Sequence, residues 1–111
     1  MSRTLAELLP LVAEVSGTYA SRNDIARDDD WYLLKLQEEL GELTAEYLKS
    51  SGRGRLKGAD AAAVRRALED EAADVLATLL LFARRNDIDL DAALERKWFC
   101  YLGRSAKAGE D

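Results

Sequence analysis

The chain has 111 residues, with 16 basic and 21 acidic side chains and no histidine. That length supports one modest core, and a 48% apolar composition with a single proline fits a folded, mostly helical chain. Without histidine there is no serine–histidine or cysteine–histidine nucleophile pair; the lone Cys100 excludes an internal disulfide and a zinc cage, and a net charge of −5 argues against broad phosphate-backbone binding.

The first predicted element is a helix whose apolar face is Leu5, Leu8, Val12, Val15 and Tyr19, opened by a Thr4-x-x-Glu7 capping box. Pro10 either kinks this helix or delays its start. Neither this segment nor any other reads as a signal peptide, because Arg3, Glu7, Pro10 and Glu14 interrupt it. A polar linker, Ser21 to Asp30, ends in three aspartates suited to the positive end of the next helix. The second helix, about Trp31 to Ser50, has the seam Leu33, Leu36, Leu40, Leu43 and Tyr47. A glycine-rich basic loop through Arg53, Arg55 and Lys57 follows.

Asp60 or a neighbour opens a third helix, about Ala61 to Arg85, with the seam Leu68, Ala72, Val75, Leu79 and Phe82. Asn86 and Asp87 mark its end. A fourth, about Asp91 to Leu102, carries Leu94, Trp98 and Tyr101 and stops at Gly103. Residues 1–104 therefore read as one all-α domain, a four-helix antiparallel bundle, with 105–111 a polar tail. Val75 to Ala83 is apolar nearly all round, which predicts packing against a second copy of the chain. At nine residues it is far below the ~20 needed to cross a bilayer, so the expectation is a cytoplasmic protein with no membrane partner.

The chemistry lies in two acidic stretches, Glu38-Glu39-Leu40-Gly41-Glu42 and Glu71-Ala72-Ala73-Asp74. Glu38, Glu39 and Glu42 share one side of their helix, as do Glu71 and Asp74 of theirs. Glu39, Glu42, Glu71 and Asp74 each stand one residue before a seam position, so antiparallel packing brings the two sets together at the edge of one interface. Carboxylates gathered there repel and raise one another's pKa. Lysine or arginine can neutralise such a group, but neither acidic stretch contains one; a hard divalent cation can also do so, and all-oxygen ligation selects Mg²⁺ or Mn²⁺ over zinc. Solvated helix faces are the competing explanation for glutamate clusters. Gly41, costly inside a helix, points to a close approach by backbone or ligand.

Glu-Glu-x-x-Glu, 28 intervening residues, then Glu-x-x-Asp resembles the signature of the MazG-like, all-α nucleoside triphosphate pyrophosphatases. The contexts Leu36 to Leu43 and Asp70 to Leu76 are similar to that family's wording, and the resemblance spans Trp31 to Leu102. It implies Mg²⁺ held by Glu39, Glu42, Glu71 and Asp74, hydrolysis of a nucleoside triphosphate to monophosphate and pyrophosphate, and Glu38 as a further ligand or the base. A house-cleaning role against non-standard nucleotides is implied in the same way.

The resemblance also makes Lys97, opening the family's Lys-x-x-Lys-Asn pattern, a phosphate contact together with Arg104. Cys100 and Tyr101 stand where the second lysine and the asparagine would fall, a departure that touches base recognition. Trp31 either stacks on a nucleobase or belongs to the core; Trp98 reads as core and Cys100 as a small buried hydrophobe. The basic loop either clamps phosphate or is a solvated hairpin.

The expectation is thus a homodimeric or homotetrameric nucleotide pyrophosphohydrolase with a small-molecule substrate and no nucleic-acid polymer as partner. The rivals are a phosphoribosyl-ATP pyrophosphohydrolase-like enzyme and a non-catalytic helical interaction module. Histidine is then unnecessary, since carboxylates and magnesium suffice. The five site acids equal the whole excess of acids over bases.

Overall fold

The computed structural model describes residues 2–103, and over them the chain forms four α-helices and a short 3₁₀ turn, with no strand. The helices are α1 (Leu5–Arg22), α2 (Asp29–Ser50), α3 (Ala61–Arg85) and α4 (Leu90–Lys97), and the 3₁₀ turn is Phe99–Tyr101. No helix among these residues is long and apolar enough to cross a membrane.

Each α-helix begins where a short oxygen-bearing side chain satisfies a backbone N–H that the helix leaves free. Thr4 accepts from the Glu7 N–H while Glu7 reaches back to the Thr4 N–H, completing the expected capping box. That backbone bond and the Thr4 hydroxyl hold the Glu7 carboxyl below its usual pKa. Asp28, Asp60 and Asp89 accept in the same way from Trp31, Ala63 and Ala92. Pro10 sits inside α1 without ending it. Its missing N–H costs one hydrogen bond near the helix start, and the capped first turn carries the chain through.

Asn23 and Asn86 close α1 and α3, each followed by an aspartate in the left-handed region, Asp24 at φ 53° and Asp87 at φ 54°. The last helix departs from expectation. It stops at Lys97, and the chain tightens into the 3₁₀ turn before Gly103 at φ 79°. Residues 98–102, though apolar, lie exposed after this turn and are not packed against the other helices as the longer helix was expected to be.

The principal packing is α2 against α3, antiparallel, with α1 lying on α3. Asp29 meets Arg85 at one end of this hairpin, Glu39 meets Asp74 midway, and Lys49 and Val64 share a groove at the other end. The buried side chains are Ala20, Tyr32, Glu39, Val64, Thr78, Leu80, Leu81 and Ala83. Half of them belong to the C-terminal half of α3, the segment too apolar for a surface helix. α2 covers it at Leu81, beside Tyr32, while Leu5 and Leu9 of α1 share a groove with Leu80 and Ala83. Leu76 remains exposed.

Three expectations about the core are corrected. The face α2 turns to α3 is Tyr32, Leu36, Glu39, Leu43 and Glu46, rotated roughly 60° from the centre of the expected seam. Leu33, Leu40 and Tyr47 therefore point outward and are about half exposed within the single chain. Trp98 is 59% exposed and Cys100 is exposed too, because the chain around them leaves the bundle after Lys97. Val15 and Tyr19 also lie open on α1.

Leu80, only 3% exposed, is among the best-enclosed side chains of α3. Its replacement by alanine should lower unfolding free energy by about 2–5 kcal/mol, measured by urea denaturation followed by circular dichroism.

Candidate metal centre

The side chains that face each other midway along the α2–α3 hairpin are acidic. One carboxylate oxygen from each of Glu38, Glu39 and Glu42 falls within 4.8 Å of the others, and the same holds for Glu39, Glu71 and Asp74. Glu39 belongs to both groups and joins them into one constellation of five acids. The helical repeat explains the first group, since residues three and four apart stack on one side of α2. Only the antiparallel register explains the second. All five acids expected from sequence are brought together.

Glu39 lies deeper than expected. It is 7% exposed and stands within the buried face of α2, not beside it. Its Oε2 and the Oε2 of Glu71 are both enclosed and accept no hydrogen bond. Glu71 is half-buried, whereas Glu38, Glu42 and Asp74 open to solvent on the rim. The cluster thus has an enclosed interior and a solvent-exposed rim.

The electrostatics follow from this placement. Loss of water, then the charge of Glu42 and a proton-sharing contact with it, then the charges of Asp74 and Glu39, push the Glu71 carboxyl up from 4.5 to about 7. Asp74 is also raised, first by burial and then by Glu39 and Asp70, with Lys35 pulling the other way. Lys35 is the functional neighbour that sequence reasoning missed. Its ammonium lies 2.9 Å from Glu38 and 3.4 Å from Glu39, and those partners, Glu38 foremost, raise its own pKa. It stands just outside the acidic stretch, but its spacing of three and four to these glutamates was the available signal. One ammonium against five carboxylates leaves the centre strongly anionic.

The donor set suits a hard cation. Enclosed carboxylate oxygens with no proton donor, all-oxygen chemistry and an open rim are what Mg²⁺ or Mn²⁺ requires, and no sulfur or imidazole nitrogen competes.

The remaining candidates are placed elsewhere. Trp31 is half-buried and stands edge-on to Tyr32, ring centroids 5.1 Å apart. Lys97 is the exposed last residue of α4 and makes no ion pair with the five acids among the described residues. Arg104 lies outside the described residues. Arg53 of the basic loop stacks on Tyr47, 5.6 Å from its centroid, and donates to Ser51. A Cβ at Gly54 would come within 2.9 Å of the Lys49 backbone nitrogen, so glycine lets this loop fold tightly onto the end of α2. Gly41 is different: a Cβ there would meet no atom within 4 Å, and no close backbone approach accounts for it.

No protein-family model, curated protein or solved structure matches the chain.

Because the folded protein holds the Glu71 proton more tightly than the unfolded chain, the metal-free protein binds more protons than its unfolded form between pH 4.5 and about 7. The contribution of Glu71 to stability is thus complete below pH 4.5 and is lost as pH rises through about 7. In EDTA, melting temperature should fall across this window, and Glu71→Gln, which mimics the protonated carboxyl, should flatten the fall.

Proposed function

We propose that the protein is a Mg²⁺-dependent nucleotide pyrophosphohydrolase of the MazG-like kind, cleaving a (d)NTP to (d)NMP and pyrophosphate. The observation that carries the reading is the pair of enclosed, unpartnered carboxylate oxygens on Glu39 and Glu71, at the point where the two acidic groups converge. A solvated glutamate face would leave its oxygens in water. A scaffold gains nothing from like charge held out of it.

In this reading Glu39, Glu42, Glu71 and Asp74 hold the cation, which supplies charge neutralisation at the triphosphate and activation of a water. Glu38, exposed on the rim, accepts the proton as the water oxygen bonds to the α-phosphorus and the bond to the pyrophosphate oxygen breaks. Lys35 orients that carboxylate through its 2.9 Å contact. Lys97 and Arg104 are assigned to the phosphates and Trp31 to the base by resemblance alone. House-cleaning of the nucleotide pool is the role that accords with such chemistry.

The test is release of pyrophosphate from a panel of dNTPs with Mg²⁺. Glu39→Gln and Asp74→Asn should each reduce turnover by at least about a hundredfold while helix content persists. Absence of hydrolysis across the panel, or full activity in both variants, would reject the enzyme in favour of a helical interaction module.

We further propose that the core is completed by a second copy, as a homodimer or homotetramer. The chain exposes 8829 Å², against roughly 6,100 Å² for a folded monomer of its mass. Its radius of gyration is 17.2 Å, where a compact domain of this length has roughly 13 Å. The excess surface is ample for an interface of about 1,600 Å² in total. Leu33, Leu40 and Tyr47, spaced by seven along the outer side of α2, form an apolar stripe of the kind helices bury in one another. Leu40→Glu should shift sedimentation towards monomer, while wild type sediments as a dimer or larger.

A further inference from the structure

A second cavity, at the other end of the hairpin from the basic loop, has chemistry opposite to that of the acidic centre. It has a volume of about 370 Å³ and is lined by Ala13 of α1, Arg27 of the linker, Tyr32 of α2, and Leu81, Arg84 and Arg85 of α3. Tyr32 and Glu39 are seven residues apart on the same face of α2, which separates cavity and acidic centre by roughly 10 Å along the helix.

Three arginines from two parts of the chain line this space. Arg27 and Arg85 both stand over the ring of the buried Tyr32, at 6.0 and 5.8 Å from its centroid, and the aromatic face fixes their positions. Arg27 uses one nitrogen on the Ser16 hydroxyl at 2.8 Å. Arg85 directs Nε and Nη2 to a single oxygen of Asp29, at 3.0 and 2.7 Å. The Arg84 side chain has no hydrogen-bond or ion-pair partner among the described residues. Glu14 lines an adjoining groove with Arg84 but is not within ion-pair distance.

Asp29, the carboxylate paired here with Arg85, has a side chain that is 87% exposed, so its attraction is screened by water. Each guanidinium carries five N–H donors, and Arg27 and Arg85 together commit three of theirs, to Ser16 and Asp29. Planar forks arranged this way match the oxygens of a tetrahedral oxyanion, while Ala13 and Leu81 supply an apolar wall.

We propose that this cavity is an oxyanion site that takes inorganic phosphate or the phosphoryl group of a small phosphorylated molecule. Arg84 is its principal uncommitted ligand, and Arg27 and Arg85 are held ready by Tyr32. The anion relieves the mutual repulsion of the three guanidiniums, just as a cation relieves that of the carboxylates. The site is independent of the hydrolase reading, because it needs neither metal nor turnover.

The probe is inorganic phosphate, titrated calorimetrically into the full chain in EDTA, with chloride holding ionic strength constant. Saturable binding is expected, weakened at least about tenfold by Arg84→Gln and by Arg27→Gln, and unchanged by Glu71→Gln. Circular dichroism of each variant checks that the helices persist, and Arg84, exposed and unpaired, should be replaceable without unfolding. A sugar phosphate and a nucleoside monophosphate form parallel arms. Tighter binding than phosphate identifies the phosphoryl group of a larger molecule, and equal binding identifies the free ion. No saturable binding of any probe, or equal affinity in the wild type and both arginine variants, overturns the proposal. A protein that binds phosphate here but hydrolyses no nucleotide keeps this site and loses only the enzymatic reading.

Discussion

Like charge packed into a helix–helix interface is the constraint around which the rest of this structure is arranged. The α2–α3 contact supplies most of the packing, yet its midpoint is occupied by Glu39 and Glu71, not by a leucine pair. Repulsion there opposes the hydrophobic attraction on either side, from Tyr32 and Leu81 towards one end and Val64 towards the other. Lys35 offsets part of it, and the raised affinity of the Glu71 carboxyl for a proton offsets another part. Both remedies are incomplete at neutral pH. In the proposed function, a cation binding there removes the cost that the fold carries without it.

The same constraint explains why the single chain looks unfinished. With carboxylates on its inner face, α2 has only Leu36, Leu43 and Tyr32 left to give to α3, and its other apolar residues fall on the outer side. The helix thus carries two stripes, one mixed and one purely apolar, separated by less than a quarter turn. α1 contributes Leu5, Leu8, Leu9 and Val12 but leaves Val15 and Tyr19 open, and the segment after Lys97 exposes Trp98, Phe99, Tyr101 and Leu102. These residues are too many and too continuous to be scattered surface leucines. Charge is also grouped locally: five acids meet at the middle of the hairpin, while Arg27, Arg84 and Arg85 line one cavity at its Asp29–Arg85 end.

Much of this was legible residue by residue. The four helices, the Thr4-x-x-Glu7 box, the cap at Asp60 and the limits of α3 follow from local hydrogen bonding and periodicity, which neighbours in the sequence decide. So does the sharing of one face by Glu38, Glu39 and Glu42. The seam of α2 was misplaced because five regularly spaced leucines and tyrosines outvote a glutamate in any count of apolarity, and burial of Glu39 is an expense that no such count foresees. Lys35 stands three residues outside the acidic stretch, yet its spacing to Glu38 and Glu39 is a signal the sequence carries. Trp98 and Cys100 were assigned to a core because aromatic and thiol side chains usually find one, and the chain there leaves the bundle.

What the sequence by itself determined is therefore everything governed by separations of three and four residues: where helices start and stop, and which side chains share a face. What only the tertiary structure decided is how those faces are turned towards one another. The antiparallel register of α2 and α3 sets Glu39 against Glu71 and Asp74, encloses two of their oxygens, and lifts the Glu71 carboxyl to about 7. It also brings Arg27 and Arg85 to the same tyrosine ring from positions 58 residues apart in the chain. Local propensity is blind to such pairings, because desolvation and charge repulsion depend on distance through space and have no period along the chain.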